Sequence, residues 1–407
     1  MKSSGLPACL ALVAGMFWAN AAAWATTKNY DTGASDAEIR IGQTVPMSGP
    51  ASAYGLIGRA EAAYIRMINA QGGVKGRKVN LIQYDDAYNP PKTVEHVRRL
   101  VEQDEVLTTF QIIGAPANAA VQKYLNARKI PQLLVSTGAA RFTDPKNYPW
   151  TTAFNPGFKS EAKIYAAYLL KEHPAARIGV LYQNDDQGRD YLNGLKEGLG
   201  DQARTMIVAE EPYELADPTI DSQIVKLRNT GADVLFAVTS PKFGAQAIRK
   251  KHELDWKAQT FLVSVAASIG SVLKPAGFEA AQGLITATAM KTPGDPKWKD
   301  SPDMKAYADF MKSAGMENLF TDSSAALGYL SATLLHRMLE AAGDDLTREN
   351  LMKQATNLNM TDLPMLLPGV AIHTTPENYS PFNTLMLQRF KGEGFELFGE
   401  PISAQKH

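Results

Sequence analysis

The chain has 407 residues, 45% of them hydrophobic and 21% charged, an ordinary globular composition with length enough for two domains. Lys plus Arg and Asp plus Glu each number 42, so the formal net charge is zero. That balance excludes the basic excess expected of a nucleic-acid or anionic-membrane binder.

At the start of the chain Lys2 is followed by an apolar run from Leu6 to Ala23 and by Ala23-Trp24-Ala25. This pattern predicts a signal peptide over 1–25, cleaved after Ala25, and hence export to the periplasm. A membrane anchor is the alternative, but Asn20 interrupts the run and its apolar length is marginal for a span. Leu6-Pro7-Ala8-Cys9 superficially resembles a lipoprotein box, yet most of the apolar region still follows it. Cys9 is the single cysteine, so the mature chain is expected to have none. Thiol catalysis, disulfides and Cys-based metal sites are then excluded. Residues 26–37 are small and polar and read as a disordered leader.

From Ile39 to about Met290 strands and helices alternate. The predicted strands are 39–45, 78–84, 106–113, 132–136, 177–182, 204–209, 233–239, 259–263 and 283–289. Helical patterns lie between them, near 52–70, 91–104, 117–128, 158–172, 188–199, 219–230, 242–253 and 268–274. Such alternation implies parallel sheets covered by helices on both faces, an α/β fold of two doubly wound lobes. Asn89-Pro90-Pro91 places a capping Asn before Pro at a helix start, and Gly72-Gly73 supplies a helix stop. Phe154-Asn155-Pro156 is a natural break between two arrays with the same element order. After Pro302 the pattern turns helical over 302–314, 322–342 and 347–357. A strand, Thr384–Phe390, lies in the loop-rich end. A helical tail of this kind must cover some surface, and in a two-lobed protein the first lobe is the expected place.

Common catalytic arrangements are missing. Ala266-Ala267-Ser268-Ile269-Gly270 lacks the first glycine of a nucleophile elbow. His252-Glu253 begins a zinc-helix pattern, but Trp256 stands at the second His position. No phosphate-binding glycine motif occurs, and the six histidines are scattered. Asn184 to Asp190 lacks the spacing of a calcium loop and reads as a strand-to-helix turn with capping carboxylates. Asp85 and Asp86 are adjacent on a strand and point to opposite faces, so one of them is expected to orient the neighbouring loop. No catalytic residue, metal site or cofactor is expected.

One family pattern emerges from these residues. Pro46-Met47-Ser48-Gly49-Pro50, Tyr54-Gly55, Gly58, Ile68-Asn69-Ala70, Gly72-Gly73-Val74-Lys75-Gly76 and Tyr84-Asp85-Asp86-Ala87 resemble the opening of the leucine/isoleucine/valine-type periplasmic binding proteins. The similarity continues through Ile112-Ile113-Gly114, Val135 to Ala139, Ile178 to Asp186 and Asp217 to Leu227. Each motif is weak alone; their order and spacing together are specific. The resemblance implies a type I periplasmic-binding fold with two Rossmann-like lobes, a three-crossing hinge and a solute in the cleft. Lobe 1 would comprise 38–154 plus 290–364, and lobe 2 would comprise 155–289 plus 365–407.

The resemblance also implies a site. In the family the ligand carboxylate is held by the loops after the third and fourth strands, here Ala115 to Ala119 and Ser136 to Ala140. The expected contacts are Ala117, Asn118 and Ala119 from the first loop and Thr137, Gly138, Ala139 and Ala140 from the second. Asn118 is the side-chain candidate; capping the following helix is its alternative role. Tyr54 matches an aromatic that packs on the ligand, and Gln187 stands where the family usually has Tyr or Phe. Thr239, Ser240 and Phe243 are expected to form a wall of the second lobe, with helix core as the alternative for Phe243. Val265 and Ala266 lie where amino-acid binders carry a glutamate for the ligand ammonium. No acidic residue occurs between Asp255 and Glu279. A buried ammonium without a carboxylate partner is costly. The expectation is therefore a solute receptor of an ABC importer for an organic solute, a carboxylate and an aromatic acid fitting better than an ordinary amino acid. It would be a monomer working with an inner-membrane ABC permease, with no nucleic-acid partner. A branched-chain amino-acid binder and a ligand-sensing module are the alternatives.

Overall fold

A computed structural model describes Met1 and residues 28–382 and 384–403. The signal-peptide segment and Cys9 fall outside the described residues. The stretch 26–37, expected to be disordered, is ordered from Lys28 onward. Asn29–Tyr30 pairs in parallel with Asp345–Leu346, and the Arg77 guanidinium donates to Tyr30 Oη at 2.6 Å. Asp31 accepts from the Arg348 N–H at 2.8 Å. Its polar composition is spent on fixed hydrogen bonds rather than on solvation.

The first lobe is built on five strands: β1 Glu38–Val45, β2 Lys78–Asp85, β3 Thr108–Phe110, β4 Gln132–Val135 and β5 Thr151–Ala153. All are parallel, in the order β2-β1-β3-β4-β5. The crossovers are helices α1 Gly55–Ala70, α2 Pro90–Glu102 and α3 Ala115–Ala127. Asn89 caps α2 by accepting from the Lys92 N–H, with Pro at the first helical turn. After α1, Gly72 and Gly73 take φ of 108° and 72° and turn the chain into β2.

The second lobe repeats this plan. Its strands β6 Ile178–Gln183, β7 Ile207–Tyr213, β8 Val234–Val238, β9 Gln259–Leu262 and β10 Ile285–Thr288 run in the order β7-β6-β8-β9-β10. Helices α4 Phe158–Glu172, α5 Asp186–Leu199, α6 Asp221–Asn229 and α7 Pro241–Glu253 cover it. Strands β11 Thr384–Lys391 and β12 Gly394–Ser403 extend the sheet antiparallel beyond β10. Two local expectations differ. Residues 203–206 form a helical turn, so β7 starts later than 204 and runs to Tyr213. The segment near 268–274 winds as a π turn over Ile269–Leu273 before one α turn.

The tail returns to the first lobe as helices α8 Pro302–Ser313, α9 Ser323–Ala342 and α10 Arg348–Ala355. Tyr64 of α1 meets Phe310 of α8 and Tyr329 of α9 with ring centroids 6.1 and 5.6 Å away. Residues 365–382, assigned by sequence to the second lobe, stay against the first. Thr374 Oγ1 donates to the Ala355 carbonyl at 2.9 Å, and the Phe382 ring stands edge-on to Phe154 at 5.8 Å. The chain therefore enters the second sheet only at Thr384. It crosses between lobes after Ala153, after Thr288 and before Thr384.

The α1–α9 contact contains a buried carboxyl. Glu61 is held by Gln43 Nε2 at 2.6 Å and by Ser331 Oγ at 2.7 Å. Burial pushes its pKa from the ordinary 4.5 up to about 8, with those two bonds opposing the shift. Folded Glu61 thus keeps its proton at pH values where the unfolded chain has lost it. Its contribution is fully present below about pH 4.5 and is lost as pH rises through about 8. Glu61→Gln should remove this slope, gaining on the order of 4 kcal/mol relative to wild type at pH 8 and little at pH 4. Paired denaturant titrations across that range measure it; parallel curves for the two proteins would contradict the assignment.

Candidate functional site

Residues at the carboxyl ends of the parallel strands face one another across the cleft. Ile113, Gly114, Ser136 and Thr137 of the first lobe and Ser264, Val265 and Thr288 of the second line a common cavity of about 140 Å³. In each sheet the strand order reverses beside the first strand, at β1/β3 and β6/β8. Doubly wound sheets bind ligands at such switch points. Several buried side-chain atoms without a hydrogen-bond partner lie at these strand ends, on residues that do not line the cavity. They are Thr44 Oγ1 on β1, both amide atoms of Gln111 after β3, and Thr239 Oγ1 and Ser240 Oγ after β8. Two cavity-lining residues share this property, through Tyr54 Oη and Asn155 Oδ1. Unpaired buried polar groups are costly, so the two on the cavity wall are where a bound molecule or water would complete the bonding.

Tyr88 shapes the first-lobe wall. Ala87 and Tyr88 both adopt the left-handed region, with φ of 51° and 59°. Each such residue costs about 1–3 kcal/mol. The neighbouring carboxylates hold the turn. Asp85 accepts from the N–H groups of Met47, Ser48 and Ala87 at 2.9, 3.3 and 2.9 Å. Asp86 accepts from the Tyr88 N–H at 2.9 Å and the Thr93 hydroxyl at 2.8 Å. A bond to a charged group contributes about 1.5–3 kcal/mol, so together these outweigh the strain. The turn lays the Tyr88 ring over Gly114, where a β-carbon would meet the ring at 2.4 Å. Tyr54 stacks beside it, centroids 6.5 Å apart. Burial pushes both phenol pKa values up, so both remain neutral.

The lobes are in contact around this cavity. Leu215 of the second lobe packs against the cluster containing Tyr54 and Tyr88. The Ala140 N–H donates to Asp190 Oδ2 at 2.7 Å, and Arg141 pairs with Asp186 at 3.2 Å, tying the loop after β4 to α5. The Tyr88 hydroxyl lies within hydrogen-bonding reach of Gln183. At the hinge Lys291 pairs with Asp303 at 2.6 Å, and Asp303 also accepts from the Met365 N–H at 2.9 Å. Burial would raise the Asp303 pKa, but these bonds outweigh it and hold it below the usual carboxylate range. Lys291 is the one charged residue among the described residues that line the cavity, and its charge is already matched. No carboxylate among the described residues lines it.

A cavity between two doubly wound lobes is the architecture of a solute receptor, and the family match agrees. The family model for periplasmic binding proteins matches residues 38–394. The chain belongs to the periplasmic binding proteins. Among curated relatives, it is 22% identical over 312 residues to Leu/Ile/Val-binding protein homolog 3 of Brucella melitensis, covering 76% of this chain and 81% of that one. Its fold matches a branched-chain amino acid ABC transporter protein from Thermus thermophilus with bound valine, at TM-score 0.80 and 17% identity, over 90% and 96% of the two chains. It also matches a solute-binding protein of an ABC transporter from Rhodopseudomonas palustris BisB5 in complex with 3,4-dihydroxybenzoic acid, at TM-score 0.74 and 20% identity, over 91% and 97%.

Of the positions expected from sequence, this binding protein brings Tyr54, Thr137, Gln187 and Val265 to the cavity. The remainder serve the scaffold. Asn118 is fully buried: its Nδ2 donates to the Ile112 and Gly114 carbonyls at 2.7 and 2.9 Å, and its Oδ1 accepts from Gln132 at 2.8 Å. It has no group left for a solute, and it does not cap α3, whose cap position is Gly114. Ala117 and Ala119 lie within α3 and do not line the cavity. Gly138 fixes the first crossing, where a β-carbon would strike the Pro156 carbonyl oxygen at 1.9 Å. The Ala139 N–H is taken by Thr137 Oγ1 at 3.2 Å and the Ala140 N–H by Asp190, so two expected carboxylate donors are occupied. Thr239 and Ser240 sit behind Gln187, whose Nε2 donates to the Thr239 carbonyl at 3.5 Å. Phe243 is core, 4.5 Å from the Tyr213 ring. Ala266 is buried beneath the turn whose Ser264, Val265 and Ala267 line the cavity.

Sequence reasoning missed Tyr88, Asn155, Ser264 and the hinge residues Ala287 to Pro293. The signals were the paired aspartates before Ala87-Tyr88 and the break at Phe154-Asn155-Pro156. Asn118→Ala is accordingly expected to destabilise the fold by about 1–3 kcal/mol by leaving its partners unpaired, without touching the cavity. Chemical denaturation should show that loss. An undiminished stability together with weakened solute binding would return Asn118 to the site.

Proposed function

We propose that this protein is the periplasmic receptor of an ABC importer, and that its solute is an organic molecule with an apolar, aromatic body and a small polar head. The observation that carries this reading is the cavity itself: set between the lobes, walled by Tyr54, Tyr88 and Phe158, and lined among the described residues by hydroxyl and amide groups and the paired Lys291 without a carboxylate. Flat aromatic walls favour a flat apolar body. The missing carboxylate disfavours the ammonium of an amino acid, because nothing on the wall would neutralise it. The polar head is a carboxylate or a hydroxyl, held by neutral donors such as Thr137. The relative that carries 3,4-dihydroxybenzoic acid supports such a class; the relative with bound valine shows that the fold alone does not choose. The protein would act as a monomer, without cofactor or catalysis, and would present its closed form to an inner-membrane permease. Closure would follow hinge motion about the three crossings.

Thermal shift and calorimetric titration against aromatic acids, fatty acids and branched-chain amino acids test the reading. An aromatic acid at a hundred times its Kd should stabilise the protein by about 2.7 kcal/mol. Leucine, isoleucine and valine should not. Tyr54→Ala and Tyr88→Ala should each weaken binding about tenfold or more while the fold persists. Saturable binding of leucine, with no response to any aromatic acid, would overturn the proposal.

A further inference from the structure

Ser264 lies on the second-lobe wall, half-exposed to the cavity. Behind it is Glu161 of α4, a fully buried carboxylate far away in sequence. Glu161 Oε1 accepts from the Tyr165 hydroxyl at 2.7 Å and the Ser264 N–H at 2.8 Å. Its Oε2 accepts from the Tyr191 hydroxyl at 2.8 Å and the Ser264 hydroxyl at 2.7 Å. Four donors saturate the acceptor sites of a carboxylate, which leaves it nothing to offer a solute. Burial is the largest influence and leaves the Glu161 pKa raised, with the bonds from Ser264, Tyr165 and Tyr191 opposing it.

A serine hydroxyl has one proton and two lone pairs. Here the proton is directed backwards, onto Glu161, and the lone pairs remain for the cavity. We infer that Ser264 recognises a hydrogen-bond donor on the solute, and that this donor is a hydroxyl group. An ether oxygen or a carboxylate oxygen placed against Ser264 would face lone pair to lone pair. An ammonium would find one acceptor where it needs three, with the nearest carboxylate already saturated. The inference rests on the receptor reading above and narrows its solute to a hydroxylated member of the class. It also assigns the two ends of the solute. The hydroxyl faces the second lobe at Ser264, and an anionic head, where present, faces the donors of the first.

Matched probe pairs test this by calorimetric titration on the mature chain: 3,4-dihydroxybenzoate with 3,4-dimethoxybenzoate, and 8-hydroxyoctanoate with octanoate. The hydroxylated member of the better-bound pair should bind about tenfold tighter than its partner. Ser264→Ala should bring that ratio close to one by weakening the hydroxylated member alone. Ser264→Cys, which keeps a side chain there with a weaker acceptor, should fall between. A ratio unchanged in Ser264→Ala, or tighter binding of the methoxy or unsubstituted partner by the wild type, overturns the inference and leaves the receptor reading standing. Failure of all four probes to bind overturns both.

Discussion

The structure depends on one constraint: two sheets whose five parallel strands share one order present the carboxyl ends of those strands to each other across three chain crossings. A parallel strand ends in a loop, and its last polar groups have no next strand to pair with. In one lobe those groups would meet water. Between two lobes they meet a cavity, and Tyr54 and Asn155 on its wall are left with buried atoms unpaired. An interior of this kind is incomplete by construction, which is why the solute belongs there rather than on an outer face.

Closure is distributed over contacts outside the cavity. Asp190 takes the Ala140 N–H, Asp186 pairs with Arg141, and Leu215 covers the tyrosines. The Arg141–Asp186 pair is about one-third exposed on both sides, so it contributes little by itself. The charge-assisted bond from the Ala140 N–H is the stronger of the two. The left-handed pair Ala87 and Tyr88 at the cleft is held by Asp85 and Asp86. The two aspartates that resemble a catalytic pair in sequence are loop holders in the fold. The same is true of Asp185, which caps α5 through the Gly188 N–H at 3.1 Å.

Much of the fold was legible because it rests on local signals. Alternation of apolar runs, the Asn89-Pro90 start and the Gly72-Gly73 stop each act within a few residues. The site was legible only where a side chain has no competing use. Tyr54 and Gln187 could be placed by the family resemblance, and they stand where α1 and α5 begin at the cleft. Asn118 could not, because its fate is decided by Gln132 and by two backbone carbonyls that only the folded loop brings near. The backbone donors of Ala139 and Ala140 were misjudged for the same reason. Glu161 shows the converse. No acid lies between Asp255 and Glu279 in the chain; the acid that serves the turn comes from α4 and meets the turn at Ser264.

The central claim is that the solute lies between the lobes with a neutral polar group, not an ammonium, against the Ser264 turn. A crystal structure of the protein purified with its own retained solute tests it most directly. The account predicts an organic molecule enclosed between Tyr54 and Tyr88 on one side and Ser264 and Val265 on the other, with a hydroxyl on Ser264 Oγ. A zwitterionic amino acid with its ammonium at that turn, or a solute bound outside the cleft, would contradict it.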